Sequence, residues 1–260
     1  MEIYQAIILG IIQGLTELLP ISSSAHLTVI PQIFNWGVPE SFDVALHFGT
    51  LLAIGLFFFK DWIALLKGGY NRVIKKQDNP EAKMLLYIII ATIPGGIIGF
   101  ILDKFASEIL DKPVIIAIAM IVMGIVLYLV DKYSKNETEY KDLSLKQTFL
   151  VGLSQALAFI PGVSRSGITM TMGRLLGITR EAAAKFSFML SAPIVLGASL
   201  YKFLDFEFSV AAILGILVSF LVGIVVIKFL LDYLKKKSFK IFAIYRVLAG
   251  LLILGYVFFM

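Results

Sequence analysis

The sequence predicts an all-α polytopic membrane protein built as an inverted repeat. Each half is a re-entrant helical hairpin followed by three transmembrane helices, giving six spans and two hairpins. Three observations carry this. Hydrophobic residues make up 59% of the 260 positions and charged residues only 16%. Apolar runs long enough to cross a bilayer recur along the chain. Two of the runs are interrupted by proline, serine and charge, and each is followed by three plain ones.

The composition rules out a soluble domain, which cannot hide that much apolar surface at this length. Mean hydropathy is +0.91. There is no cysteine, so neither disulfides nor a thiol nucleophile enter. The net charge of +5 does not imply a nucleic-acid partner, because the basic residues sit in short loops between apolar runs. Met1-Glu2-Ile3 lacks a basic region and a small-residue cleavage site, so the first apolar run is expected to be mature structure.

The first interrupted run covers residues 3 to 34. It holds Gln13, Glu17, Pro20, Ser22, Ser23, Ser24 and His26. The break is expected at Leu19-Pro20-Ile21-Ser22, since proline lacks an N–H and disfavours helix before it. Spans are expected at about 42–59, 84–102 and 113–130, with polar basic loops over 60–83 and 131–147. The second interrupted run, 148–176, holds Gln155, Pro161, Gly162, Ser164, Arg165, Ser166 and Thr169. Spans follow at about 182–202, 209–231 and 241–259.

The interrupted runs also resemble each other. One reads Gly10-x-x-Gln13, then Pro20, then serines; the other reads Gly152-x-x-Gln155, then Pro161, then serines. If each enters and leaves on one face, three spans per half invert the second half. The chain is then one membrane domain, 1–260, with pseudo-repeats 1–131 and 147–260 joined by a cytoplasmic loop, 132–146. Charge placement agrees with this topology. The basic loops 60–83, 131–147 and 228–240 fall on one side, read as cytoplasmic. Lys104, Lys112 and Lys202 fall on the other, among Asp103, Glu108, Asp111, Asp205 and Glu207.

Several residues carry chemistry. Glu17 is a carboxylate inside an apolar run, a costly placement that marks function. Gln13 lies one turn before it. Ser22, Ser23 and Ser24 follow the break, where helix-start amides and hydroxyls receive an anion or cap the helix. His26 suits proton transfer. Arg165, in Pro161-Gly162-Val163-Ser164-Arg165-Ser166-Gly167-Ile168-Thr169, offers a fork matched to phosphate oxygens. Ser164, Ser166 and Thr169 are further hydroxyls for the same ligand. Together the set suits phosphoryl transfer. An anion or lipid-phosphate transporter would use the same cradle and is the alternative reading. His47 either lines the cavity or caps the first span, with Asp43 assisting. Arg174 and Arg246 are expected at membrane edges, snorkelling, with structural roles.

Gln13-Gly14-Leu15-Thr16-Glu17-Leu18-Leu19-Pro20-Ile21-Ser22-Ser23-Ser24-Ala25-His26 resembles the first signature of the undecaprenyl-diphosphate phosphatase family, the bacitracin-resistance type. Pro161 to Thr169 resembles the second. Phe48-Gly49-Thr50-Leu51-Leu52-Ala53, Lys185-Phe186-Ser187-Phe188-Met189-Leu190 and Tyr245-Arg246 extend the likeness over nearly the whole chain. The resemblance implies hydrolysis of undecaprenyl diphosphate to undecaprenyl phosphate and inorganic phosphate. That reaction recycles the cell-wall lipid carrier and lowers bacitracin sensitivity. It also implies a bacterial plasma-membrane enzyme whose site opens to the outer side, a divalent cation (Mg2+ or Ca2+), a polyprenyl diphosphate and bilayer lipids as partners, and leaves room for a homodimer. By motif position Ser23 matches the nucleophile, Glu17 and His26 its neighbours, and Arg165 the phosphate-binding arginine. Glu17 either activates Ser23 or holds the cation, with the Gln13 amide oxygen as a further ligand. Many members carry a second glutamate where this chain has Gln13, so Glu17 must supply the acidic role here.

Overall fold

The computed structural model describes residues 1–103, 112–201 and 209–259. Its helices are α1 (Ile3–Thr16), α2 (Ser23–Ile33), α3 (Glu40–Phe57), α4 (Phe59–Ile74), α5 (Pro80–Asp103), α6 (Pro113–Tyr133), α7 (Leu145–Ser154), α8 (Arg165–Leu175), α9 (Arg180–Tyr201), α10 (Val210–Leu234) and α11 (Lys240–Phe259). Single 3-10 turns cover Tyr140–Asp142 and Gln155–Phe159. Among the described residues there is no strand, only one isolated bridge between Thr138 and Ile178.

Five helices, α5, α6, α9, α10 and α11, are long and apolar enough to cross a membrane. The bent pair α3–α4 makes a sixth if counted as one span. Their outer faces are apolar, as lipid requires. Ile213, Leu217, Leu221 and Val225 of α10 are exposed at helical spacing. The protein is thus an all-helical polytopic membrane protein. Of the charges expected opposite the basic loops, Lys104, Glu108, Asp111, Lys202, Asp205 and Glu207 lie outside the described residues.

One expectation is corrected. Residues 60 to 83 are not simply a loop, because α4 occupies most of them, turned 75° from α3 at Phe58. Lysines at 60 and 67 and Arg72 hide an apolar face in the sequence. Leu65 is buried and Trp62 packs against the core. Gly68 brings α4 against the start of α5; a Cβ there would lie 2.7 Å from the Asn79 side chain. Lys185 of α9 ties the corner down through a 2.7 Å bond to Asp61 and lies over the rings of Phe58 and Tyr140. Burial, with the Asp61 carboxylate nearby, pushes the Tyr140 phenol well above its ordinary range.

The two interrupted runs fold alike. α1 and α7 both open with a capping box, Glu2 with Gln5 and Ser144 with Gln147. Each run then breaks and restarts on a serine cap in the left-handed region, Ser22 at φ 75° and Ser164 at φ 71°. A non-glycine residue at positive φ is uncommon and costs free energy, so its occurrence at both breaks singles them out. In each case the cap hydroxyl accepts from the amide three residues on, Ala25 at 3.4 Å and Gly167 at 3.0 Å.

Small residues decide where the runs sit. Gly10 and Gly14 of α1 face Val218 and Val222 of α10, where a Cβ would come within about 3 Å. Gly152 of α7 lies against the backbone of Ala91 in α5. Gly215, Ser219 and Gly223 put a small-residue face of α10 toward α1 and α3, and Ser219 donates to Leu46 O at 3.0 Å. Each interrupted run is therefore packed close against a long helix, with its break held in the interior.

Candidate active site

Glu17 is the centre of the site. It sits in the turn between α1 and α2, only 7% exposed. Its Oε2 accepts from Ser23 Oγ at 2.6 Å and from Gln13 Nε2 at 3.4 Å. Its Oε1 accepts from Arg165 Nη2. His47 Nε2 lies 3.4 Å from Oε2. A buried carboxylate requires such partners, since isolated burial is far more costly.

Ser23 and Arg165 are each the first residue of a helix, α2 and α8, directly after the left-handed serine caps. The caps therefore aim two different side chains from two breaks at one carboxylate. The breaks also brace each other. Ser166 Oγ donates to Leu19 O at 3.0 Å, and Gly162 N donates to Ser24 Oγ at 3.5 Å. Arg165 Nη1 reaches Ser187 O at 3.4 Å, and Ser187 shares a 2.7 Å hydrogen bond with Thr169.

The first-turn amides of α2 and α8 lack intrahelical partners. With the Arg165 guanidinium they form an anion-receptive surface beside a hydroxyl and a carboxylate. A hydroxyl, a carboxylate and a guanidinium are thus within one hydrogen-bond network.

His26 is placed differently from Ser23. Its Nδ1 donates to Ser22 O at 2.7 Å. In the neutral ring Nε2 is then the acceptor, and it lies 2.6 Å from the Tyr245 hydroxyl of α11, which donates to it. The two rings stack 5.7 Å apart. His26 makes no bond to Glu17 or Ser23. Ser22 and Ser24 hydroxyls lie 3.1 Å apart, as do those of Ser164 and Ser166 at 3.2 Å.

His47 lies on Glu17 rather than capping α3, with Nδ1 donating to Asp43 O at 2.8 Å. Arg174 and Arg246 are not snorkelling at membrane edges, which corrects the expectation. Both are fully buried. Arg174 bonds Asp131 at 2.9 Å and three backbone carbonyls. Arg246 binds carbonyls in both breaks. Tyr245 and Ser187 escaped sequence reasoning as site members. Their only signal was membership of family-like stretches, because each acts through a contact distant in sequence.

A divalent cation can be tested against these residues. Among the described residues no group of three His, Cys, Asp or Glu gathers to hold a metal. Gln13 Oε1, however, is buried without a partner, beside Glu17. One carboxylate and one orphaned amide oxygen fit the class in which a hard cation keeps waters and takes its remaining ligands from substrate phosphates.

The family model described as bacitracin resistance protein BacA matches residues 6–252. A curated relative from Pelotomaculum thermopropionicum, named undecaprenyl-diphosphatase, is 47% identical over 98% of this chain and 96% of its own. Relatives of the same name from Caldicellulosiruptor bescii and Moorella thermoacetica are 48% and 45% identical, each aligned over 98% of both chains. The matched residues include both breaks and every side chain on Glu17, and the chain belongs to the BacA family of bacitracin resistance proteins.

Proposed function

We propose that the chain hydrolyses undecaprenyl diphosphate to undecaprenyl phosphate and inorganic phosphate in the bacterial plasma membrane. The observation that carries this reading is Glu17, bonded at once to a hydroxyl nucleophile and to an arginine from the opposite break. The names of relatives at this identity support the same substrate.

Arg165 and the helix-start amides bind the terminal phosphoryl group. Ser23 Oγ attacks its phosphorus as Glu17 takes the hydroxyl proton. The bond to the bridging oxygen breaks and undecaprenyl phosphate leaves, with charge on that oxygen neutralised by the surrounding donors. Glu17 gives the first proton to the departing undecaprenyl phosphate. Water then attacks the phosphoserine, giving its proton to the freed Glu17 carboxylate, which returns it to Ser23 Oγ as the serine P–O bond breaks and phosphate departs. Glu17 and Gln13 would hold Mg2+ or Ca2+. When bound, the cation supplies charge neutralisation on the diphosphate oxygens.

The same reading includes an inverted repeat, 1–131 and 147–260, joined by a cytoplasmic loop at 132–146. α1 and α2 have 14 and 11 residues, α7 and α8 have 10 and 11. At 1.5 Å per residue each is about 15–21 Å long, short of a bilayer core of about 30 Å. Such pairs suit re-entrant hairpins meeting near the midplane. The basic loops assign the cytoplasmic face, and the site then opens outward.

The test is phosphate release from undecaprenyl diphosphate by purified protein in detergent, with Mg2+, with Ca2+ and with EDTA. Release that EDTA abolishes and either cation restores is the expected result. A folded protein that releases nothing under any cation contradicts the proposal.

A further inference from the structure

Arg246 is a fully buried charge that the reaction does not use. It lies on α11, fully buried, and among the described residues no carboxylate pairs with it. A buried guanidinium without a counter-ion is costly and persists only where its donors are well satisfied. Here they are met by carbonyls alone. Nη2 donates to Gly162 O at 2.8 Å and Val163 O at 2.9 Å; Nη1 donates to Pro20 O at 3.2 Å; Nε reaches Met120 O at 3.4 Å.

Three of these carbonyls belong to the two breaks, one or two residues before the caps Ser164 and Ser22. Carbonyls there have no helical partner. Left free, they would turn their negative ends toward the same interior space that must receive a phosphate. Arg246 gathers them on its own side, and the polypeptide makes room for it. A Cβ at Gly167 would sit 2.6 Å from Nη1, and a Cβ at Gly124 of α6 would lie 3.0 Å from Arg246 Cβ.

We propose that Arg246 is a positioning residue for phosphoryl transfer. By binding the carbonyls of both breaks, it sets the spacing of the α2 and α8 starts so that Ser23 and Arg165 close on Glu17. The inference rests on the phosphatase reading. It adds that the geometry of the site is set from behind, by a residue that never touches substrate.

A strut that merely stabilises the fold would lower the amount of folded protein and leave the turnover of folded molecules alone. A positioning residue lowers kcat, since an interaction realised in the transition state is lost. The experiment compares wild type, Arg246→Lys, Arg165→Ala and the double variant as monodisperse protein in detergent, each with its unfolding temperature. Lysine keeps the charge but cannot span carbonyls from two breaks. A displacement of the order of 1 Å costs about 100-fold, so Arg246→Lys is expected to lose about that in kcat with KM changed less than about threefold. In the Arg165→Ala background the same change is expected to cost less than about fivefold, because the group it positions is gone.

Near wild-type kcat in Arg246→Lys, or an undiminished loss in the Arg165→Ala background, overturns the proposal. Should Arg246→Lys fail to fold, Gly167→Ala presses on the guanidinium without removing it. It is expected to lower kcat at least about tenfold by the same misplacement, and unchanged kcat there overturns the proposal equally. Inactive wild type would instead fail the phosphatase reading itself, so the two failures are distinguishable.

Discussion

Ser23 and Arg165 stand at equivalent points in two separate breaks, each the first helical residue after a left-handed serine cap, and both bond the Glu17 carboxylate. One oxygen takes the hydroxyl and the other takes the guanidinium. A single buried carboxylate thereby registers the two halves of the chain against each other. It also holds the hydroxyl in the orientation from which its proton can be removed.

Arginine at 165 is expected to be irreplaceable by lysine. Lysine keeps the charge but loses the planar fork that reaches Glu17 and Ser187 O from one side chain. Arg165→Lys should lower kcat/KM about 10²- to 10³-fold, the cost of losing one aligned transition-state donor. Phosphate release at matched folded concentration checks this.

The nucleophile can be trapped. If Ser23 attacks phosphorus, acid quenching during turnover should leave phosphoserine in the peptide that contains residue 23, detectable by mass spectrometry. Ser23→Ala should show neither phosphopeptide nor turnover. A Ser23→Ala protein that still releases phosphate would transfer the role to an activated water.

Gln13 should set cation affinity. Its orphaned Oε1 lies next to the only carboxylate of the described site. Gln13→Glu adds a charged oxygen ligand and should lower the Mg2+ concentration for half-maximal activity about tenfold, since ligand charge tunes such sites. Gln13→Leu should raise it by a similar factor. Identical cation curves for all three proteins would remove Gln13 from the cation site.

Stability on the side of the basic loops should depend on Asp131. Its carboxylate binds Arg174 at 2.9 Å, Arg180 at 2.7 Å and the Phe239 amide at 3.0 Å. It thus joins α6, α8, α9 and the start of α11. Asp131→Ala strips Arg174 of its only carboxylate partner among the described residues and should destabilise by about 3–5 kcal/mol, the range for breaking a buried pair. Thermal unfolding in detergent measures it. The turnover of folded molecules should change little, because none of these groups touches Glu17.

What the sequence made legible was local. Pro20 and the Pro161-Gly162 pair mark the breaks, because proline and glycine act through their own backbone. Glu17 and Arg165 declare themselves by being charges in apolar runs. The long spans were legible from hydropathy alone. The remainder was hidden because it depends on contacts across the chain. Arg246 looks like a membrane-edge arginine until α11 packs on α6 and carries it to the breaks. His26, next to Ser23 in sequence, turns instead to Tyr245. α4 reads as a polar loop because Lys60, Asp61, Lys67, Asn71 and Arg72 interrupt its apolar residues. His47 is about two turns into α3, and only the packing of α3 near α1 brings it to Glu17.

The most direct test of the account is a site built from both breaks around one carboxylate. Phosphate release from undecaprenyl diphosphate would be measured for wild type, Glu17→Gln, Ser23→Ala and Arg165→Ala, each confirmed folded by unfolding temperature. The account predicts release by wild type and near-complete loss in all three variants, with the Glu17→Gln, Arg165→Ala double variant no worse than the poorer single one. Full activity in Arg165→Ala, or losses that multiply in the double variant, would contradict a shared site spanning the two halves.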